Sequence, residues 1–587
     1  MTDKTDNKGR LSGGICNCKE EKILLVLLPF WDPQIPPLGI ACLKSFLQKH
    51  HYNVKSVDAN LEFGFREIYD EYYHLLRQFI PENKQGNIFN IGNQVLRNHL
   101  MAHLTNNNTD VDEKRYMELL KILVKKTFFT NFNDDRLIEL DEVLKEFYIR
   151  LSNYFLNLLD KEKPTTLGLS VYGDTFPASL AAFKMAKELD PSIKTVMGGG
   201  IFADQLAPGS PNLDFLEEKT RDYIDKIIIG EGEELFLRFL RGELEESEGS
   251  FTIKDIGSTG LDLSTNNNNV DVPDFSDFDL SYYPLLAHYG ARSCPFQCKF
   301  CSETINWGKY RKKNVSQTVR EFSELYKRHS YQLFLMTDST LNPIMTALSH
   351  EIIESDAAIY WDGFLRADQH VCSTGNTLLW RRGGFYRAKL GLESGSQRVL
   401  DLMNKCITVG QSREALAALA YAGIKTTTFW LFGFPGETEE DFQMTLEFIE
   451  ECKDNIYEAD CNAFNYYLTG QVNSREWLKN NKGILLYPEW AKQMLITQTW
   501  IMDCEPTREV TYTRVNQFVE HCKKLGIPNP YSLSDVYKAD ERWKKLHKNA
   551  VPSIVELKNK DIYVTENRNV KELSFARNTL QDDGDWF

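Results

Sequence analysis

The chain has 587 residues, 42% of them hydrophobic and 12% aromatic, which is enough for two or three cored domains. A net charge of -15 argues against a general nucleic-acid binder, which would show a basic face, though a local basic groove stays compatible with it. Twelve cysteines are too sparse for a disulfide scaffold, the opening MTDKTDNKGRLSGGICNCKEEK is polar, and no apolar run reaches a membrane span, so a cytoplasmic protein is expected.

Residues 1–20 read as a polar tail whose Cys16 and Cys18 are unpaired thiols. Strand-like apolar runs follow: KILLVLL from Lys22, YNVKSVDA from Tyr52, TTLGLSVY from Thr165, IKTVMGGG from Ile193 and DKIIIGEGE from Asp225. Helical patterns such as GIACLKSFLQKH and PASLAAFKMAKELD separate most of them. Alternation of this kind predicts a parallel α/β sheet, and five strands suit a flavodoxin-like, Rossmann-type doubly wound domain over 21–250. Residues 62 to about 160 are too long for a crossover. Leu137, Leu140, Leu144, Phe147, Leu151, Tyr154 and Leu158 recur there at helical spacing, which predicts an inserted helical subdomain serving packing.

Residues 251–285 are Asn/Asp-rich and read as a linker. A second strand–helix series over 286–470 offers HYGARSC, LFLMTDS, IYWDGFLRAD, FYRAKLGLES, IKTTTFWLFGF and CNAFNYY as strands. Six such units predict a partial (β/α)6 barrel with its chemistry at the C-terminal strand ends. From 471 to 587 the chain turns helical, and TRVNQFVEHCKKLGI stops at Gly526 and Pro528. Cys42, Cys452 and Cys522 fall in helix-like segments and read as core thiols.

The stretch ARSCPFQCKFCSE places Cys294, Cys298 and Cys301 in a C-x3-C-x2-C pattern just after the first of these strands. Thiolates are soft ligands, so zinc or an iron–sulfur cluster is the choice. Half a zinc ribbon would need a second cysteine pair at similar spacing, and Cys372 and Cys406 form none. Three thiolates on a four-iron cluster leave one iron open to a small molecule.

This spacing, with Phe300 in the aromatic slot before the third cysteine, resembles the signature of the radical S-adenosylmethionine (SAM) superfamily. KLGLESGSQRVLDLMNK resembles its fourth-strand motif, WLFGFPGETEEDF its fifth-strand motif, and FLRAD supplies Arg366 on the third strand. The resemblance implies a cluster on Cys294, Cys298 and Cys301, which are then the catalytic and metal-binding residues. It also implies SAM contacts at Phe300, Asp338, Ser339, Arg366, Glu393, Ser394, Phe432 and Gly433. Where many members carry Gly-Gly-Glu on the second strand, this chain has Thr337, Asp338 and Ser339, which puts the amino-group contact in doubt. In this superfamily one electron from the cluster cleaves SAM, and the resulting 5′-deoxyadenosyl radical abstracts hydrogen from an unactivated carbon.

The first domain resembles the cobalamin-binding domain of one large radical SAM subgroup, through PPLGIACLKSFLQKHHYNVKSVDANL, GLSVYGDTFPASLAAFK, VMGGGIFADQL and IIIGEGEELF. A methyltransferase-like nucleotide site competes, but no G-x-G-x-x-G follows the first strand. The resemblance implies cobalamin contacts at Trp31, Gln34, Pro37, Leu38, Gly39, Ser170, Val171, Tyr172, Asp174, Thr175, Gly198, Gly199, Gly200, Phe202, Gly230, Glu231 and Gly232. None of the eleven histidines lies in the D-x-H-x-x-G context that ligates cobalt from below, so Phe30, Trp31 or Gln34 is expected to meet that face.

The resulting expectation is a cobalamin-dependent radical SAM enzyme that C-methylates an unactivated carbon. The substrate is a small molecule, a peptide or a carrier-bound natural product, and a flavodoxin or ferredoxin donates electrons. Ring contraction, cyclisation or another rearrangement is the alternative outcome. Methylthiolation of transfer RNA lacks its extra N-terminal cysteines and basic module here, and a corrinoid sensor or carrier would form no 5′-deoxyadenosine. Tyr466 and Tyr467, placed at the end of the sixth strand, are candidate substrate contacts, with core packing as the equal alternative.

Overall fold

The computed structural model describes residues 21–29, 34–106, 113–244, 249–252, 272–355, 358–480, 483–529 and 533–557. The first sheet is all parallel. Its strands are β1 (Lys22–Leu27), β2 (Asn53–Asp58), β3 (Thr166–Ser170), β4 (Lys194–Gly198), β5 (Lys226–Ile229) and β6 (Gly249–Thr252), in the order β2-β1-β3-β4-β5-β6. β1 and β3 are nearly continuous buried apolar runs because helices cover both faces of the sheet. The α/β class and doubly wound order follow the expectation, with a sixth strand added at the β5 edge. The order reverses between β1 and β3, and at that switch point a crevice opens beyond the carboxyl ends of the strands.

Helix α1 (Leu38–Lys49) follows β1. Between β2 and β3 lie α2 (Phe63–Phe79), α3 (Ile88–Asn106), α4 (Glu113–Phe128) and α5 (Asp134–Glu162). Asn133 caps α5 by accepting from the Arg136 N–H at 3.3 Å. The buried stripe of α5 runs from Leu137 to Leu151 and then to Phe155 and Leu159. Tyr154 and Leu158 sit at its half-buried margin, the drift of a straight helix away from a seven-residue repeat. Helices α6 (Phe176–Leu189), α7 (Pro211–Thr220) and α8 (Gly232–Leu240) complete the first layer.

The second sheet is a partial barrel of six parallel strands in the order β14-β13-β12-β11-β10-β7. They are β7 (Leu286–His288), β10 (Leu333–Met336), β11 (Tyr360–Arg366), β12 (Phe385–Glu393), β13 (Lys425–Phe432) and β14 (Glu458–Ala463). A short antiparallel pair, β8 (Ala291–Arg292) and β9 (Arg311–Lys312), frames the cysteine loop. Two expected strands are displaced. The first barrel strand ends at His288, before the residues assigned to it, and the sixth ends at Ala463, so Tyr466 and Tyr467 lie beyond it.

The stretch read as a linker is ordered over 272–285, within the described residues. Val272, Phe275, Phe278 and Tyr283 are buried, and the Tyr283 hydroxyl donates to Asp58 Oδ2 at 2.7 Å. Asp277 takes Lys44 at 2.7 Å, Lys55 at 2.8 Å and the Ser56 N–H at 2.8 Å. The segment is therefore a strap across α1 and β2. Beyond the barrel, the helix Arg508–Lys524 packs on β14 and β13 and ends at Gly526, whose φ is +71°. Among the described residues no helix is long and apolar enough to cross a membrane.

Burial alone would raise the Asp277 carboxyl, but its lysine and amide donors outweigh that and hold it at about 2, below its ordinary 3.8. A depressed folded value contributes stability that is fully present above pH 3.8 and lost as pH falls toward 2. Asp277→Asn should therefore lower unfolding stability at pH 7 by about 1.5–3 kcal/mol. Urea melts at stepped pH should show the gap between variant and wild type closing between those two values.

Candidate active site

The cysteine loop begins at a backbone position with φ +70°, Ser293, whose Oγ donates to the Gly308 carbonyl at 2.7 Å. The loop is tied down from outside: the Lys299 N–H donates to the Met403 carbonyl at 2.9 Å, and Gln471 Nε2 donates to the Phe300 carbonyl at 3.1 Å. Cys298 is buried, and Cys294 and Cys301 are partly so. The three thiols lie close enough to feel one another's charge. Burial pushes the Cys301 thiol up to about 12 and raises Cys294 as well, so both need nearby positive charge to ionise.

That charge is present. Arg366, at the end of β11, brings Nη1 to 3.6 Å from Cys298 Sγ and stacks over the Phe296 ring at 4.0 Å. Lys405 Nζ lies 5.5 Å from the Phe300 ring centre and 2.7 Å from Glu393 Oε1. Arg366 Nη2 is buried and has no hydrogen-bond acceptor. Among the described residues no three His, Cys, Asp or Glu side chains are grouped to hold one metal ion. An iron–sulfur cluster asks for something else: thiolates spread around it, one to an iron, with donors to its sulfurs. The soft donor set and the orphaned guanidinium N–H fit such a cluster.

Glu393 closes β12 with φ +68°. Gly391 makes room for its pairing, because a Cβ there would lie 2.8 Å from Glu393 Oε1 and 3.1 Å from Lys405 Nζ. Ser394 turns away from the lumen: its Oγ accepts from the Ser396 N–H at 3.1 Å and lies 3.4 Å from Thr445 Oγ1. Asp338 is buried and accepts from the Gly290 N–H at 2.9 Å, and burial pushes its carboxyl up to about 7. Ser339 Oγ donates to Glu303 Oε2 at 2.5 Å. Gly433, φ +80°, donates its N–H to Glu437 at 2.8 Å.

Phe432 is displaced from its expected role. It packs on Phe442 and Phe518, 5.4 and 5.0 Å between ring centres, on the helix-covered face of β13. Side chains alternate along a strand, so Leu431 takes the lumen face and joins Phe300 in one apolar cluster.

At the switch point of the first sheet lies a cavity of about 600 Å³. Pro37, Leu38, Gly39, Ser170, Tyr172, Gly198, Gly199, Gly200, Gly230, Glu231 and Gly232 line it. So do Arg292, Ser293, Ser302, Glu303, Trp307, Thr337 and Ser339 from the barrel, which makes it a chamber between the first sheet and the cysteine loop. A Cβ at Gly39 or Gly230 would meet nothing within 4 Å, so backbone faces open space there. A rim this poor in side chains fits a flat ring system. No histidine is among its described lining residues.

Five expected contacts sit elsewhere. Val171 and Phe202 are buried in the core, Thr175 points back to accept from the Tyr172 N–H at 3.0 Å, and Asp174 lies 3.8 Å from Arg97. Gln34 is exposed and off the cavity wall, where Ile35, Pro36 and Pro37 stand instead, while Phe30 and Trp31 lie outside the described residues. Tyr466 is buried against Trp477 at 5.9 Å, with no partner for its hydroxyl, and Tyr467 is held by Asp204. Both line a minor recess of about 40 Å³ apart from the main cavity.

Sequence reasoning passed over Lys405, although it ends the fourth-strand motif, and Arg292, two residues before Cys294. Arg292 contacts Glu231 at 3.0 Å and Glu233 at 2.6 Å, and Arg311 also pairs with Glu231. Glu231 is thus committed to a bridge between the two sheets. An arginine beside a cysteine motif was the available signal.

Comparison with known proteins gives the following. Residues 289–449 match the radical SAM superfamily model. The anaerobic magnesium-protoporphyrin IX monomethyl ester cyclase of Rubrivivax gelatinosus is 28% identical over 49% of this chain, which spans 55% of that protein. An uncharacterized methyltransferase of Pyrococcus horikoshii is 25% identical over 58% of this chain and 74% of its own length. Among solved structures, the radical SAM methyltransferase TsrM of Kitasatospora setae, with tryptophan and a SAM analogue bound, matches at TM-score 0.56 and 13% identity. It covers 95% of this chain and 100% of its own. The cobalamin-dependent radical SAM enzyme OxsB, with aqua-cobalamin and SAM bound, matches at 0.52 and 13%, covering 96% and 81%. At these identities the two structures share the fold.

The glycine rim separates two kinds of constraint. Gly199 has φ +118°, and a Cβ there would lie 2.4 Å from both the N and the O of Val171, backbone atoms with nowhere to go. Gly230 has φ +92° with open space around it. Gly230→Ala should cost about 1–2 kcal/mol of stability, from backbone strain alone. Gly199→Ala should cost more than about 3 kcal/mol. Denaturant unfolding of both variants measures the difference.

Proposed function

Since the chain carries a radical SAM domain at residues 289–449, we propose that it is a cobalamin-dependent enzyme that C-methylates an unactivated carbon of a small organic substrate. One observation carries this reading: the glycine-rimmed cavity runs without interruption from the first sheet to Ser302 and Glu303, the two residues after Cys301. The cavity reaches the edge of the cysteine loop, so a methyl carrier held in it and a radical source on that loop would face one substrate. When bound, the cluster and SAM supply a hydrogen-abstracting adenosyl radical, and cobalamin supplies the methyl group.

The residues present divide the remaining tasks. Cys294, Cys298 and Cys301 hold the cluster, and Arg366 and Lys405 set positive charge beside Cys298. Glu393, fixed by Lys405, and Asp338, fixed by the Gly290 N–H, are the acceptors available to an ammonium group of SAM. Burial raises the Asp338 carboxyl to about 7, so a cation beside it would draw it toward the charged form. Gly39, Gly198–Gly200 and Gly230–Gly232 give cobalamin a backbone surface, and Ile35–Leu38 seal it with apolar contact that keeps water out. Among the described lining residues there is no histidine, so Ile35, Pro36, Pro37 and Leu38 would offer cobalamin apolar contact rather than a nitrogen ligand. Such a setting would suit cobalamin in the role of methyl donor.

A second reading, ring formation without methyl transfer, draws on the similarity to the cyclase of Rubrivivax gelatinosus. Product analysis with methyl-labelled SAM separates the two, since label in the product requires methylation. An external electron donor such as a flavodoxin or ferredoxin belongs to either reading.

Anaerobic reconstitution with iron, sulfide and hydroxocobalamin should yield about four iron per chain, with the visible bands of both chromophores. Cys298→Ala should lose the iron and keep the corrinoid. Zinc as the only metal retained would sink the proposal.

A further inference from the structure

Among the described residues, the barrel lumen below the cysteine loop carries one ammonium, Lys389, with no hydrogen bond or ion pair; Arg366, nearer the loop, likewise meets no carboxylate. Alternation along the strands puts Asp362, Phe364 and Arg366 of β11 on the lumen face with Arg387, Lys389 and Gly391 of β12. Contacts fix this orientation. Trp430 and Phe432 of β13 pack on Phe448 and Phe442 of the helix behind, while Phe429, between Trp430 and Thr428, meets the Phe364 ring at 5.9 Å. Phe364 pairs in register with Lys389, and Arg366 with Gly391.

Deeper in the lumen the charges are matched. Arg387 donates to Asp362 Oδ2 from Nε at 2.8 Å and from Nη2 at 2.5 Å. Lys425 meets Asp540 at 2.5 Å. Glu458 accepts from Thr427 Oγ1 at 2.9 Å, and burial holds its carboxyl above the usual range, which weakens it as a counter-charge. Lys389 makes no hydrogen bond or ion pair with any described residue. Its Nζ lies 5.2 Å from the Phe364 ring centre, and burial lowers its pKa against the pull of Asp362.

The wall beside it is bare. Phe364 is 37% exposed although Gly363 and Leu365 on either side are buried, so its open face is the lumen. Arg366, beside Cys298, stands one lumen step above, about 7 Å along the strand.

We infer that the lumen binds substrate through a carboxylate seated on the Lys389 ammonium, with a flat apolar body against Phe364 and Phe429. The far end of that body then lies at the level of Arg366 and the cysteine loop. The inference deepens the proposed function, and it rests on that reading for calling the ligand a substrate. One ammonium beside an apolar wall, with the next cation, Arg366, a lumen step above at the cysteine loop, suits the single charge of a carboxylate rather than a phosphate, which would draw several donors at once. Such a charge-assisted contact is stronger than a neutral hydrogen bond, and it relieves an ammonium that burial otherwise destabilises.

Benzoate, with benzamide as its uncharged counterpart, probes the site in the full-length chain by isothermal titration. Benzoate should bind at millimolar concentration or below, and benzamide about tenfold more weakly. Lys389→Met should weaken benzoate by about tenfold and leave benzamide unchanged, and Lys389→Arg should restore benzoate binding. Should Lys389→Met fail to fold, Phe364→Ala reads the same site, with both probes weakened by about tenfold. Equal benzoate affinity in wild type and Lys389→Met, or no binding to wild type at millimolar concentration, overturns the inference. Iron content on reconstitution is measured separately, so a chain that takes up iron and ignores benzoate sinks this inference and leaves the cofactor reading standing.

Discussion

Two carboxylates at the end of the first sheet and two guanidinium groups at the mouth of the barrel fix how far apart the two halves stand. Glu231 and Glu233 follow β5, and Arg292 and Arg311 lie on β8 and β9. All four are largely shielded from water, so each depends on its partners: taking one ion out of water costs several kcal/mol unless a partner compensates. Arg292 pairs with two carboxylates and Glu231 with two arginines, so losing either of these two strands a charge at the end of this row of pairs, Glu233 or Arg311. The clamp lies in the cavity wall and two residues from Cys294, which makes the width of the chamber and the position of the cysteine loop consequences of one set of ion pairs.

The electrostatics of the loop follow from that enclosure. Thiols this deep resist ionisation, and the chain answers with two cations that come from different strands and are separately anchored. Arg366 leans on Phe296, so its position is set by ring contact. Lys405 is held by Glu393, and the missing Cβ at Gly391 leaves space for that pair. The backbone at Glu393, left-handed and non-glycine, is the kind of strained conformation that survives only where the surroundings overdetermine it. Strain, buried charge and an orphaned N–H all converge on the end of β11 and β12, the place where a barrel of this type does its chemistry.

What could be read from residues alone divides along physical lines. Local patterns were legible: the unbroken apolar runs of β1 and β3 marked a doubly covered sheet, and the cysteine spacing marked a soft-ligand loop. Glycine-rich strand ends marked the cavity because absence of a side chain is itself a shape. Long-range partnerships were not legible. Nothing in the spacing of Glu231 says that it faces Arg292 and Arg311 across 80 residues or fewer, and nothing in LDLMNK says that Lys405 returns to Glu393. Phe432 failed for a different reason. The motif located the strand end, but a period of two makes adjacent residues opposite in role, and the face was settled by Phe442 and Phe518 from helices far along the chain. The strap at 272–285 was read as a linker because its polarity is real. Its buried aromatic and aliphatic side chains are spaced by no regular period that would announce them.

The helical insertion completes the argument for a closed chamber. A six-stranded barrel is open between its first and last strands, and β14 is one of those edges. Helix α3 reaches that edge from the other domain: Asn87 Nδ2 lies 3.4 Å from Asp460 Oδ1, and Asn90 Nδ2 donates to Asn462 Oδ1 at 2.8 Å. Farther along the same helix, Arg97 approaches Asp174 at the ligand edge of the first sheet, and Asn98 donates to the Tyr487 hydroxyl at 3.3 Å. At its end Thr105 donates to the Met494 carbonyl at 2.9 Å. One helix therefore touches the first sheet's loops, the barrel edge and the C-terminal region within 19 residues. Opposite it, the Glu231–Arg292 clamp holds the other side. A chamber secured on two sides by unrelated devices resists the hinge motion that two domains joined by a strap would otherwise undergo, and that rigidity is what the proposed placement of two cofactors against one carbon would demand.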